Sequence, residues 1–203
     1  MHPSRKQAEA LLNESEKLNP GKWADHCRVA AQCAEKIASA CTGSDNLDPD
    51  KAYVLALLHD IGRRFGPSQF GHISDGYHYM QQLGYDEAAR ICLTHSFPQQ
   101  DIQSYIGRYD VPPAEVTKLG QHLAALQYDD YDRLIQLCDS VAMAEGVVSI
   151  NQRLDDVERR YGHFPAEKRA ALIRLKAYFE AKMQRNLYSV ISDNPALWEN
   201  AEK

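Results

Sequence analysis

The chain has 203 residues, of which 44% are hydrophobic and 25% charged, with a formal net charge of −5. Those proportions are ordinary for a globular protein with one substantial core, and the acidic balance excludes the basic footprint of a nucleic-acid binder. No run of about 18 apolar residues occurs, so no membrane span is expected.

The elements are helical almost throughout. A first helix is expected from Ser4 to Leu18, and Asn19-Pro20 reads as a cap followed by proline at the start of a second, from Gly21 to Ala40. Val29, Cys33 and Ile37 draw an apolar stripe on that second helix, which His26 extends. CTGSDNLDPD is a loop, and Asp48-Pro49 opens a helix that carries AYVLALLHD and stops near Gly62. RRFGPSQFG is a loop rich in breakers. A helix from about Ile73 to Leu83 follows, then a turn at Gly84, and Asp86 caps the helix EAARICLTH. Residues 99–113 are irregular. Ala114 to Leu126 reads as a helix, and YDDYDRLIQLCDSVAMAEG as an amphipathic helix ending at Gly146. A second part, 147–203, contains NQRLDDVERRYG and a long helix opened by Pro165 and running to about Tyr188. The expected fold is all-α: a helical bundle over 1–146 with a C-terminal helical extension.

The five cysteines, Cys27, Cys33, Cys41, Cys92 and Cys138, are odd in number and include no Cys-x-x-Cys pair. They read as reduced core thiols of a cytoplasmic protein. The polar N-terminal segment lacks the apolar stretch of a signal peptide.

Polar residues stand where core is expected. His26, His59, Asp60, His95 and Asp139 are embedded in apolar helical segments, and His72 lies at the mouth of another. Burying so many imidazoles and carboxylates is costly unless they converge on a partner that offsets the desolvation. A divalent cation is such a partner, since iron, manganese, nickel, cobalt and zinc all accept imidazole and carboxylate. On a helix, His59 and Asp60 would project about 100° apart and could reach one ion near the helix end.

The order His26, His59-Asp60, Asp139 resembles the H…HD…D signature of the HD superfamily of metal-dependent phosphohydrolases, and His59 to Gly62 spell its HDIG variant. GHISDGYHYMQQLG, with His72 and Gly76, and ICLTHSF, with His95, are similar to two further family segments. Together they give H…HD…H…H…D, the pattern of the subgroup with two metal ions. The resemblance covers about residues 22–146. NQRLDDVERRYG is similar to a tail in HDIG proteins of unassigned function. The GYP motif and extra ligands of cyclic-di-GMP phosphodiesterases are absent, which sets that subgroup aside.

The resemblance implies hydrolysis of a phosphate ester or anhydride of a nucleotide or small phosphorylated metabolite by metal-activated water. It implies one ion on His26, His59, Asp60 and Asp139, and a second on Asp60, His72 and His95, with Asp60 bridging. Arg63 is expected to contact phosphate through its planar fork, with Arg64 and His78 as lesser substrate contacts. Arg153, Arg159 and Arg160 could reach the phosphate from the second part, but the preferred reading of the three is a solvated helix face. A homodimer is among the expected states. Three readings compete: a single ion, with His72 and His95 binding substrate; a di-iron oxygenase; and a nucleotide-binding regulatory module without turnover.

Overall fold

In the computed structural model, residues 1–41 and 47–199 are described. Residues 42–46 of the CTGSDNLDPD loop, and the last residues of the C-terminal part, lie outside that range.

Local signals set several boundaries. α1 (Arg5–Leu18) starts on a capping box in which the Ser4 side chain accepts from Gln7 N and the Gln7 side chain accepts from Ser4 N, leaving fewer orphan donors at the helix start. Asp48 caps α3 (Pro49–Leu57), accepting from Asp50 N and Lys51 N, with Pro49 in the first turn as expected. α2 (Trp23–Ala40) begins later than its sequence suggests. Asn19 closes α1 instead of opening α2, and Pro20 stands in the connection. The buried face of α2 is built from Ala24, Cys27, Ala30, Ala31, Cys33, Ala34 and Ile37, while Val29 is only half-buried. So many small residues let α3 and α7 (Asp130–Asp139) pack closely on it.

Other boundaries depart from the local pattern. α3 ends at Leu57, so His59 and Asp60 lie in a turn, followed by a 3₁₀ helix, Ile61–Phe65. The 100° helical spacing expected for that pair therefore does not apply. Gly62 lies inside the 3₁₀ helix and does not terminate α3. α4 (Gly71–Gln82) starts one residue before His72, and α5 (Asp86–Thr94) has Asp86 as its first residue, with Tyr85 in the cap position. After the irregular stretch comes α6 (Pro113–Ala125). α7 stops at Asp139, not at Gly146. VAMAEGVV instead forms a small hairpin of β1 (Ala142–Met143) and β2 (Gly146–Val147), pairing Ala142 with Val147 and Met143 with Gly146.

The C-terminal part supplies α8 (Ile150–Tyr161), α9 (Ala166–Met183), α10 (Leu187–Ile191) and α11 (Pro195–Glu199). Gln184, in a left-handed conformation at φ 53°, stops α9 short of the expected Tyr188. α9 packs on α7, and α10 on α2. Among the described residues the fold is all-α apart from the two-residue strands, and no helix is long and apolar enough to cross a membrane.

One buried ionic joint fixes α5 against α7. Asp132, fully buried, accepts from Arg90 Nε at 3.1 Å through both oxygens, from Thr94 Oγ1 at 2.8 Å and from Asp129 N at 2.9 Å. Removing one partner of such a pair leaves a buried charge uncompensated. Asp132→Ala is expected to cost about 3–5 kcal/mol, read as a lower denaturant midpoint with an unchanged slope. A change below about 1 kcal/mol, the scale of an exposed pair, would show that water reaches the joint.

Candidate metal centre

Each histidine of the expected set is aimed by a backbone carbonyl. His59 Nδ1 lies 2.6 Å from Ala56 O, His26 Nδ1 3.2 Å from Ala142 O and His95 Nδ1 2.9 Å from Cys92 O, while His72 Nδ1 contacts Gln69 O. A carbonyl only accepts, so each Nδ1 carries a hydrogen, and a ring whose one hydrogen is there presents a bare Nε2. These carbonyls do what orienting groups do for metal-ligating histidines. The hairpin after α7 thus has a use, because it delivers Ala142 O to His26.

The bare nitrogens converge in two groups. In the first, His26 Nε2 is 3.2 Å from His59 Nε2 and 3.1 Å from Asp139 Oδ1, with His59 Nε2 4.0 Å from the same oxygen. In the second, Asp60 Oδ1 lies 3.1 Å from His72 Nε2 and 3.6 Å from His95 Nε2. The two groups adjoin, since the His59 and His95 rings stand 5.1 Å apart, centroid to centroid. The ligand atoms within each group lie within 4.8 Å of one another. Lone pairs facing lone pairs and carboxylate oxygens repel unless a cation sits between them. The donor set therefore fits a divalent metal of the kind bound by imidazole and carboxylate.

Protonation agrees. Burial lowers the His59 ring below its ordinary range, more than Asp60 and Asp139 raise it, and burial together with His59 pushes His95 down to about 3. Burial alone would raise the Asp60 carboxyl, but Arg63, His72 and His59 hold it well below the usual range. Asp139 is likewise held far down, against burial, by His26, Arg153 and His59. Neutral rings and ionised carboxylates are the forms that ligate.

The structure brings His26, His59, Asp60, His72, His95 and Asp139 together in two adjoining groups, and Asp60, His72, His95 and Asp139 line one cavity of about 140 Å³, with His26 and His59 behind Asp139. Arg63 is there too, its Nε 2.5 Å from Asp60 Oδ2. Two expected substrate contacts are elsewhere. Arg64 stacks on Tyr79 and pairs with Glu14, and His78 bonds Glu115 at 2.6 Å. Neither lines the cavity, because each is already matched on its own side of the bundle.

Other residues at or near the site were ranked low or missed in the sequence. Arg153, expected on a solvated face, turns inward on α8, with Nη2 3.6 Å from Asp139 Oδ1. Lys168 of α9 and Tyr105 of the irregular stretch also line the cavity. Cys27 lies with His59 and Asp60, its thiol raised by burial. Asp110 Oδ1 and Oδ2 accept from Gly71 N at 2.7 Å and Gln69 N at 2.6 Å, fixing the start of the helix that bears His72. Only the neighbourhood of His26 marked Cys27, and only amphipathic spacing could have turned Arg153 inward.

Neither a curated protein nor a solved structure matches the chain. The family model described as HD domain matches residues 23–144, which is 122 of the 203 residues. That span begins three residues before His26 and ends five after Asp139, so it encloses every residue of the two donor groups. By this match and this geometry, the chain belongs to the HD domain family.

Proposed function

We propose that the chain is a metal-dependent phosphohydrolase acting on a small phosphorylated molecule. The observation that carries the reading is the pairing of two adjoining His/Asp donor groups with one cavity, lined by Asp60, His72, His95 and Asp139 and walled by cationic side chains. His26, His59 and Asp139 would hold one ion and Asp60, His72 and His95 another. A divalent metal bound there supplies a water with a pKa near neutrality and offsets phosphate charge. Arg63 is held on Asp60 Oδ2 with its other nitrogens free to meet a phosphate oxygen in the bidentate manner of a guanidinium. Arg153 adds positive charge at the wall beside Asp139, although its own nitrogens face Asp139 and Asp156. Burial keeps the Tyr105 phenol protonated, well above its ordinary range, so it can donate a hydrogen bond at the cavity wall.

Basic residues at the wall favour an anionic substrate. The test is to load the protein with manganese, iron, cobalt or nickel and follow phosphate release from a panel of phosphorylated metabolites. Chelation is expected to stop turnover and lower Tm by about 5–10 °C, since a ligand at 100 times its Kd stabilises by about 2.7 kcal/mol. Full turnover in excess chelator, or no phosphate release from any member of the panel, would remove the proposal.

A further inference from the structure

The cations around the cavity are not equivalent. Arg63 lies against Asp60, and Arg153 against Asp139 and Asp156. Arg160 Nε is 3.0 Å from Asp156 Oδ2. Lys168 differs. Among the described residues it pairs with no carboxylate, and its recorded hydrogen bond runs from Nζ to the carbonyl oxygen of Ser104 at 3.1 Å. It is 7% exposed, in the first turn of α9, and lines the same cavity as Asp60, His72, His95 and Asp139.

The fold rewards a lysine there only through the field of Asp139, which does not offset burial. A cation in the first turn opposes the helix dipole. An ammonium left unpaired and out of water costs stability. The nearest ring, Phe97, is 5.9 Å from Nζ, at the outer limit of a cation–π contact. Burial lowers the Lys168 amine to about 8, against the upward pull of Asp139, which leaves it mostly charged at neutral pH. The ammonium has three donors and its one recorded acceptor is a neutral carbonyl. The charge is therefore spare, dry and open to the cavity, ready for an anion that the paired arginines do not already neutralise.

We propose that Lys168 contacts the substrate phosphate and makes this cavity select a phosphate with two negative charges, as in a monoester or terminal phosphate, over the singly charged phosphate of a diester. The assignment deepens the phosphohydrolase reading and rests on it for the word substrate. Lys168 would be a binding residue contributed by the C-terminal part, completing a centre whose donors all come from residues 26–139.

The experiment uses the full manganese-loaded chain and inorganic phosphate as a calorimetric probe, with p-nitrophenyl phosphate and bis(p-nitrophenyl) phosphate as monoester and diester. A hydrogen bond to a charged group is worth about 1.5–3 kcal/mol, or about 10- to 100-fold in affinity. In Lys168→Met the Kd for phosphate and the KM for the monoester are expected to rise by about that factor, with diester kinetics within about threefold of wild type. Lys168→Arg keeps the charge and is expected to retain most of the phosphate affinity. Metal content should be unchanged, and the Tm of Lys168→Met without phosphate should equal or exceed that of wild type.

Phosphate affinity in Lys168→Met within threefold of wild type would overturn the assignment. So would equal losses on the two esters, or a loss in Lys168→Arg as large as in Lys168→Met. The phosphate titration needs no turnover. Lysine-dependent phosphate binding by a chain that hydrolyses neither ester nor any member of the metabolite panel would therefore remove the enzymatic reading and keep the anion site. Turnover indifferent to Lys168→Met would do the reverse.

Discussion

Asp60→Asn is expected to abolish hydrolysis and to remove metal from the second donor group while the chain stays folded. The isosteric amide explains both halves. Asp60 Oδ1 faces the bare Nε2 atoms of His72 and His95, and Oδ2 accepts from Arg63. A carboxamide can donate one hydrogen to a histidine nitrogen. It would thereby satisfy, as a neutral hydrogen bond, the repulsion that otherwise calls for a cation. Arg63 would lose its anionic partner, but its side chain is 31% exposed, and water can take part of that charge. The fold should thus tolerate the change, at a cost of roughly 1–3 kcal/mol.

Chemistry should not tolerate it. Removing one preorganised charge-stabilising donor already costs about 10²–10³ in kcat, and a lost ligand removes the ion's contribution as well. Turnover should fall by about 10³ or more, and elemental analysis should show the metal per chain reduced by about half. His26, His59 and Asp139 hold the first donor group without Asp60, so that group should stay loaded. Asp139→Asn should give the complementary result. Asp60→Asn protein with wild-type metal content and turnover within tenfold of wild type would show that Asp60 is no ligand.

The site was more legible in the sequence than the backbone that carries it. Histidine and aspartate in apolar surroundings, in the order His26, His59-Asp60, His72, His95, Asp139, point to the donor set because buried polar groups need partners wherever the chain bends. Helix starts with strong local chemistry were also legible, as at Ser4 and Asp48. Helix ends were less so. AYVLALLHD and LIQLCDSVAMAEG keep good helix formers past the points where α3 and α7 stop. What stops α3 is a shortening of its last turn, with Leu58 N bonding Leu55 O and the His59 ring bonding Ala56 O. Past α7, Val148 N bonds Val141 O across the hairpin, and His26 uses Ala142 O. Such contacts depend on distant partners, which no local pattern carries. Lys168 was missed, and Arg153 ranked as a solvated residue before a phosphate contact, for the same reason. A charged residue on an amphipathic helix reads as solvated until another element is seen to cover it.

Gly62 is the residue whose meaning changes most, and Gly62→Ala is expected to be among the most damaging conservative substitutions in the chain. A Cβ at Gly62 would lie 2.0 Å from His72 O and 2.4 Å from Gly76 N, both backbone atoms of α4. No rotamer relieves such an overlap, because both sides are main chain. Gly76 answers from the opposite wall, where an added Cβ would meet Gly62 N at 3.1 Å and Cys92 Sγ at 3.1 Å. The two glycines let the 3₁₀ helix and α4 approach main chain to main chain, which is how Asp60 comes within reach of His72. Overpacking commonly costs about 1–3 kcal/mol, and a backbone clash belongs at or above the top of that range. Gly62→Ala should lower Tm by about 6–12 °C for a chain of this length. The surviving folded fraction should bind less metal, because separating the two segments separates Asp60 from His72. Gly66→Ala is the control. Gly66 also lies in this segment, at φ 127° with nothing within 4 Å of an added Cβ. It should show only the strain of its backbone angle, about 1–3 kcal/mol, with metal content intact. If Gly62→Ala melts within 2 °C of wild type and binds metal normally, close approach is not what the glycine provides.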